Sequence, residues 1–256
     1  MRLSAKGSRT LVIINILAFV LVLIVNSLAG STSLIGGVNT AKVSDANPTL
    51  ITPPGYVFAI WGIIYLLLGV FVVYQALPNQ QEKDFQTKVG WLFALSCVVN
   101  VCWLLLWQYN LIAISTVLMF ALIATLTMIY TRLDIGVSKV PRGEMLAVHL
   151  PFSVYLGWIT VATIANIAVT LVNLGYTDLV LGAVNWAAVV IIAALIITGL
   201  MLWTRRDVSY AAVLVWALTG IYLKQISAPA VSYAALGSAA IIITLALFVT
   251  IKKPRK

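Results

Sequence analysis

Apolar windows of about 20 residues recur from one end of this chain to the other, and each is long enough to cross roughly 30 Å of hydrocarbon as a helix. They run approximately over 10–30, 54–76, 89–108, 111–131, 146–172, 179–203, 208–225 and 231–251. With 62% hydrophobic and only 9% charged residues, the chain cannot cover itself with a soluble surface. The expected fold is an all-α, polytopic transmembrane helix bundle. Eight spans are expected, the seventh being the shortest.

The basic residues account for the topology. A net charge of +9 can point to nucleic acid, but here the charges mark one side of a bilayer. With the N-terminus inside and eight spans, all 16 Lys and Arg fall on the inner side except Lys42 and Lys224. An odd number of spans would break that alternation. The basic tail Lys252–Lys256 then reads as an anchor at the lipid surface rather than a recognition motif. No nucleic-acid partner is expected, and the partner is the lipid bilayer. Nothing resembles a transit peptide, so the expected location is a bacterial inner (plasma) membrane with both termini cytoplasmic. The first 30 residues imitate a secretory signal, yet their apolar stretch spans and supports the charge alternation, so it reads as a retained helix.

Cys97 and Cys102 lie five apart on one expected helix and point away from each other, which rules out a disulfide between them. They read as buried small apolar residues. Residues 31–53 form the longest non-helical stretch, placed outside by this topology. They serve either as a lid over a cavity or as an ordinary connection. The turn at Gln108, Tyr109 and Asn110 makes the third and fourth spans an antiparallel hairpin.

Polar residues at mid-depth carry information in a bilayer, because an unpaired amide in hydrocarbon needs a partner or a cavity. Asn100, Asn166 and Asn185 qualify. Asn100, Trp103 and Trp107 share one helical face, and Trp158, Ala162 and Asn166 share another. Trp91, Trp107 and Trp203 stand near span ends and read as packing or headgroup-level residues. Trp61, Trp103 and Trp158 come from three separate helices at middle depth and together can wall a pocket for a flat, apolar ligand. No Asp, Glu, Lys or Arg falls in the middle of a span, so the usual carriers of ion-coupled transport are missing. His149 stands near a span start and reads as an interfacial histidine without a catalytic partner.

Residues 51–69 join Pro53 and Pro54, which suit an extended segment ending at a helix start, to a helix bearing Tyr56, Phe58, Trp61 and Tyr65. Trp61 and Tyr65 are four apart and lie on one face. This segment, with Asn100 and Trp103 in NVCW and Trp158, Ala162 and Asn166 in HLPFSVYLGWITVATIAN, resembles the second, third and fifth helices of the TspO/MBR family, the translocator or tryptophan-rich sensory proteins. The resemblance covers about the first 175 residues. Departures from it are Tyr56 in place of the family's tryptophan, a segment from Phe58 to Trp61 shorter by one residue and without a proline, and a longer distance from Pro151 to Trp158. They mark a divergent, extended branch. The resemblance implies a five-helix unit over residues 1–175, with a three-helix extension over 176–256 that carries Trp186, Trp203 and Trp216. It implies a cavity closed by the first loop, frequent homodimers, and a porphyrin, haem-like or other planar hydrophobic small molecule as ligand, with no cofactor required.

The expected ligand-binding set is Tyr56, Phe58, Trp61, Tyr65, Asn100, Trp103, Trp158, Ala162 and Asn166, with no catalytic or metal residues. The expected role is a sensor or passive translocator of a tetrapyrrole or similar ligand. One alternative is a facilitative transporter of a small neutral metabolite, with the added helices completing its path. A porphyrin-degrading enzyme ranks last, because no acid–base constellation is present.

Overall fold

The computed structural model describes residues 5–176 and 182–252. Arg2, residues 179–181 at the start of the sixth window, and the tail from Lys253 onward lie outside the described residues. Every regular element among the described residues is helical. The long apolar elements are α1 (Ala5–Ser31), α3 (Ile60–Ala76), α5 (Leu92–Gln108), α6 (Ile112–Arg132), α8 (Leu150–Asn173), α9 (Gly182–Arg205), α10 (Val208–Lys224) and α11 (Pro229–Ile251). Between them lie the short helices α2 (Thr40–Ala46), α4 (Asp84–Val89) and α7 (Arg142–Glu144). Each expected window is occupied by a helix. Six segments reach the length and hydropathy of a membrane span, α3 doing so together with the preceding turn as Gly55–Ala76, whereas α5 and α10 have 17 residues each with no such addition. A rise of 1.5 Å per residue gives those two about 26 Å, at the lower limit for crossing.

The outward faces are apolar: Leu17, Leu66 and Leu247 are 64%, 70% and 59% exposed. Such a surface suits lipid rather than water. Along the spans the backbone satisfies itself, and hydroxyls such as those of Thr160, Thr163 and Thr198 donate to the carbonyl four residues back. Cys97 is buried in the bundle, but Cys102 is exposed, contrary to expectation, because five residues of helix turn it to the outer face.

Packing runs around a closed ring in which α3 meets α1, α1 meets α5, α5 meets α6, α6 meets α8 and α8 returns to α3. Outside the ring, α10 lies along α8, and α9, α10 and α11 pack on one another. Hydrogen bonds locate the two ends of the bundle. At one end Gln108 donates to the carbonyls of Ile35 and Val38, and Asn173 reaches Asn47. At the other, Lys88 stands 3.9 Å from Asp134 and Arg206 donates to the Lys252 carbonyl. This second end gathers Lys83, Lys88, Arg132, Lys139, Arg142, Arg205, Arg206 and Lys252, while Lys42 and Lys224 sit at the first.

Three features escape periodicity. Asn15 donates to the Gln75 side chain at 3.0 Å and ties α1 to α3 within the apolar interior. Between Glu144 and Leu150 the fifth span passes through a π-helical turn, Met145–His149. Pro151 stands two residues beyond its end; its ring has no N–H and crowds the carbonyl four residues back, so a wider turn relieves the helix. His149 on that turn, near the charged end of the bundle, is buried, 6% exposed, with its Nε2 lacking a hydrogen-bond partner.

Asp207 is the third. It is 6% exposed between α9 and α10, and its carboxylate accepts from Tyr130 Oη at 2.8 Å, from Ser153 Oγ at 2.6 Å and from the Tyr210 amide at 3.0 Å. One carboxylate thus caps α10 and joins it to α6 and α8.

α10 also touches the ring at the other end. Trp216 Nε1 on α10 donates to the Val57 carbonyl at 3.1 Å. Gly220, one turn on, packs against Val57 and the Pro53–Pro54 pair so closely that a Cβ would collide with Val57 and stand 3.2 Å from Pro54. Gly220→Val is expected to destabilise the protein by about 1–3 kcal/mol through overpacking, despite valine's better helix propensity. Thermal unfolding of the purified protein checks this, and an unchanged midpoint would show that the contact yields freely.

Candidate functional site

Three helices of the ring bring their tryptophans together. The Trp61 ring on α3 stacks on Trp103 of α5 with centroids 6.1 Å apart, and meets Trp158 of α8 edge-on at 6.2 Å. Trp107, four residues after Trp103 and on the same face, extends the stack at 6.2 Å. Phe58 stands edge-on to Trp158 at 5.7 Å, while Tyr65 stacks on Trp61 at 5.4 Å. Offset stacks and T-shaped pairs at these separations are the arrangements that aromatic quadrupoles favour.

The rings surround a cavity of about 30 Å³. On the α8 side its wall is small, with Ala162, Ala165 and Val169, and no charged residue lines it. Thr40 and Ser44 of α2, with Thr52 and Pro53, line its remaining side. Its volume corresponds to about one water molecule.

The amides hold this cage rather than crowd it. Asn166 accepts from Trp103 Nε1 at 3.2 Å and donates to the Ala162 carbonyl at 2.9 Å, which orients the indole across α5 and α8. Asn100, fully buried, donates to Tyr155 Oη at 3.2 Å and accepts from Asn26 of α1 at 2.9 Å. Tyr155 in turn meets Trp61 edge-on at 6.0 Å, so Asn100 supports the cage from behind. Trp158 is 1% exposed, and its indole N–H has no acceptor. Among the described residues no cluster of His, Cys, Asp or Glu has the makings of a metal site.

The segment over the cavity is structured. Asn39 caps α2 by accepting from the Lys42 amide at 2.9 Å. Gln108 donates to Ile35 and Val38, and Asn47 bridges Asn110 and Asn173 at 3.0 Å each. Gly36, with φ +70°, lies against the Gln108 backbone where a Cβ would collide. The non-helical stretch expected over 31–53 therefore contains a helix, pinned by side chains of the α5–α6 hairpin and the end of α8.

A family model described as TSPO-like protein matches residues 12–248, most of the chain. The chain belongs to the TSPO-like family. No curated protein and no solved structure matches it. The match reaches from α1 into α11, so it takes in α9 and α10 as well as the ring. Of the nine residues expected to bind ligand in this family member, Phe58, Trp61, Trp103, Trp158, Ala162 and Asn166 line the cavity. Tyr65 and Asn100 stand behind it.

Tyr56 is elsewhere: it is 52% exposed and meets Trp216 of α10 edge-on at 5.9 Å. The cause is local. Gly55–Ala59 winds as a 3-10 helix, in which residues two apart point well away from each other, so Phe58 turns inward and Tyr56 outward. Tyr56 thus packs on α10 instead of lining the cavity. Trp107 also lines the cavity although it stands near a span end, and its four-residue spacing from Trp103 is the sequence signal for that place. Thr40, Ser44 and Thr52 come from an irregular segment whose approach to the cavity no periodicity announces.

Proposed function

We propose that this TSPO-like membrane protein binds a planar, largely apolar small molecule of the tetrapyrrole kind in the tryptophan cage, and acts as a sensor or passive translocator. The observation carrying this reading is the convergence of Trp61, Trp103 and Trp158 from three helices on one cavity, with the buried Trp158 N–H left without an acceptor. Stacked indoles offer area to a flat ring system, and a free buried donor favours a ligand with an acceptor at its edge. At about 30 Å³ the cavity is far smaller than such a ligand, so binding requires the α2 segment to lift or the rings to turn. Residues 1–175 would supply this site, with 176–256 as an extension bracing it through Trp216 and Asp207. The end rich in lysine and arginine would face the cytoplasm, with the lid outside.

The test is a titration of detergent-purified protein with protoporphyrin IX, following tryptophan fluorescence in wild type and Trp158→Phe. Saturable quenching at micromolar ligand, weakened by the substitution, is expected. Non-saturating quenching, identical in both proteins, would separate the fold from this ligand and direct attention to transport of small metabolites into proteoliposomes.

A further inference from the structure

A second cavity, of about 430 Å³, opens at the lid end of the bundle between the ring and the extension. Its size falls in the range of small-molecule sites, and it shares no lining residue with the tryptophan cage. Ile51, Leu171 and Trp186 give it apolar walls contributed by the segment before α3, by α8 and by α9. Trp186 and Tyr176 are 37% and 56% exposed at its rim, amphipathic rings of the kind that sit at the headgroup level.

Two polar side chains from the end of α10 complete it. Lys224 is half-buried, and no carboxylate among the described residues pairs with it. Its place in the last turn of α10 suits the helix dipole, but that does not explain an apolar chamber beside the ammonium. Gln225 is 8% exposed, lines the same chamber, and makes no side-chain hydrogen bond to the described residues. Its amide is open to the chamber and can meet an acceptor that a ligand brings there. One cation and one amide at the mouth of one apolar compartment complement a molecule with a single anionic, acceptor-rich head and a single apolar arm.

We propose that the cavity between α8, α9 and α10 binds a single-chain anionic amphiphile of the fatty-acid class, its carboxylate on Lys224 and Gln225 and its chain along Trp186. The site depends on the extension and stands apart from the tryptophan cage, so a ligand here and one in the cage can be present together.

The experiment uses the full chain in nanodiscs of zwitterionic phosphatidylcholine, titrated with a long-chain fatty acid brominated on its chain, which quenches indoles it touches. A saturable component of quenching is expected in wild type and absent in Trp186→Phe. Lys224→Gln is expected to raise its midpoint at least about tenfold, Lys224→Arg to leave it within about threefold, and the methyl ester of the same acid to bind weakly and equally to all three. Quenching that rises with mole fraction without saturating, or a midpoint unchanged in Lys224→Gln, overturns the proposal. Protoporphyrin quenching in Lys224→Gln should match wild type, which keeps this result independent of the tryptophan cage.

Discussion

Asp207→Ala is expected to destabilise the protein by about 3–5 kcal/mol, a fall of roughly 6–20 °C in melting temperature for a chain of this size. The substitution removes the acceptor shared by Tyr130 Oη, Ser153 Oγ and the Tyr210 amide, leaving donors from three helices buried together. Each orphaned donor carries a desolvation cost, and the lost cap on α10 adds about 1 kcal/mol. Asp207→Asn keeps one carbonyl acceptor and should lose less than half as much. Thermal unfolding of the purified variants decides the matter: a drop equivalent to under about 1 kcal/mol for the alanine variant would mean that α10 is held by apolar packing alone.

The second large effect concerns the cage. Ala162→Phe is expected to weaken protoporphyrin IX binding roughly 10–100-fold, equal to about 1.4–2.8 kcal/mol. Ala162 lines a chamber of about 30 Å³ beside Asn166 and the tryptophans, which leaves no room for both a phenyl ring and a ligand. Overpacking should cost about 1–3 kcal/mol of stability, so the variant should still fold. Ala162→Gly, which adds no volume, should bind like wild type. Unchanged affinity in Ala162→Phe, measured by the same fluorescence titration, would remove this wall from the site.

Both sites show why some residues announce themselves and others do not. Trp61 with Tyr65, Trp103 with Asn100, and Trp158 with Ala162 and Asn166 are legible because helical spacing places each group on one face. Asn166 was legible as a mid-depth amide, but its role in orienting the Trp103 indole depends on the distance between α5 and α8, which no single-helix pattern contains. Asp207 is hard to single out in the sequence for a related reason. Its sequence context, RRDVSY, reads as a charged connection at the membrane surface, and an N-cap aspartate before an apolar run was the one available hint. Only the approach of Tyr130 and Ser153 turns that cap into a hub.

The sequence by itself determined the membrane class, the eight apolar helices and the family. These follow from the length and polarity of continuous segments, since each helix closes its own backbone hydrogen bonds and needs about 20 apolar residues to cross. Only the tertiary structure decided which aromatic faces meet, that Tyr56 turns toward Trp216 while Phe58 turns inward, and that α2 covers the cavity. The same holds for Asp207, Gly220 and the chamber at Lys224, each of which joins residues from segments far apart in the chain. Such contacts are set by how helices pack against one another, and side-chain spacing along one helix says nothing of what the neighbouring helix presents.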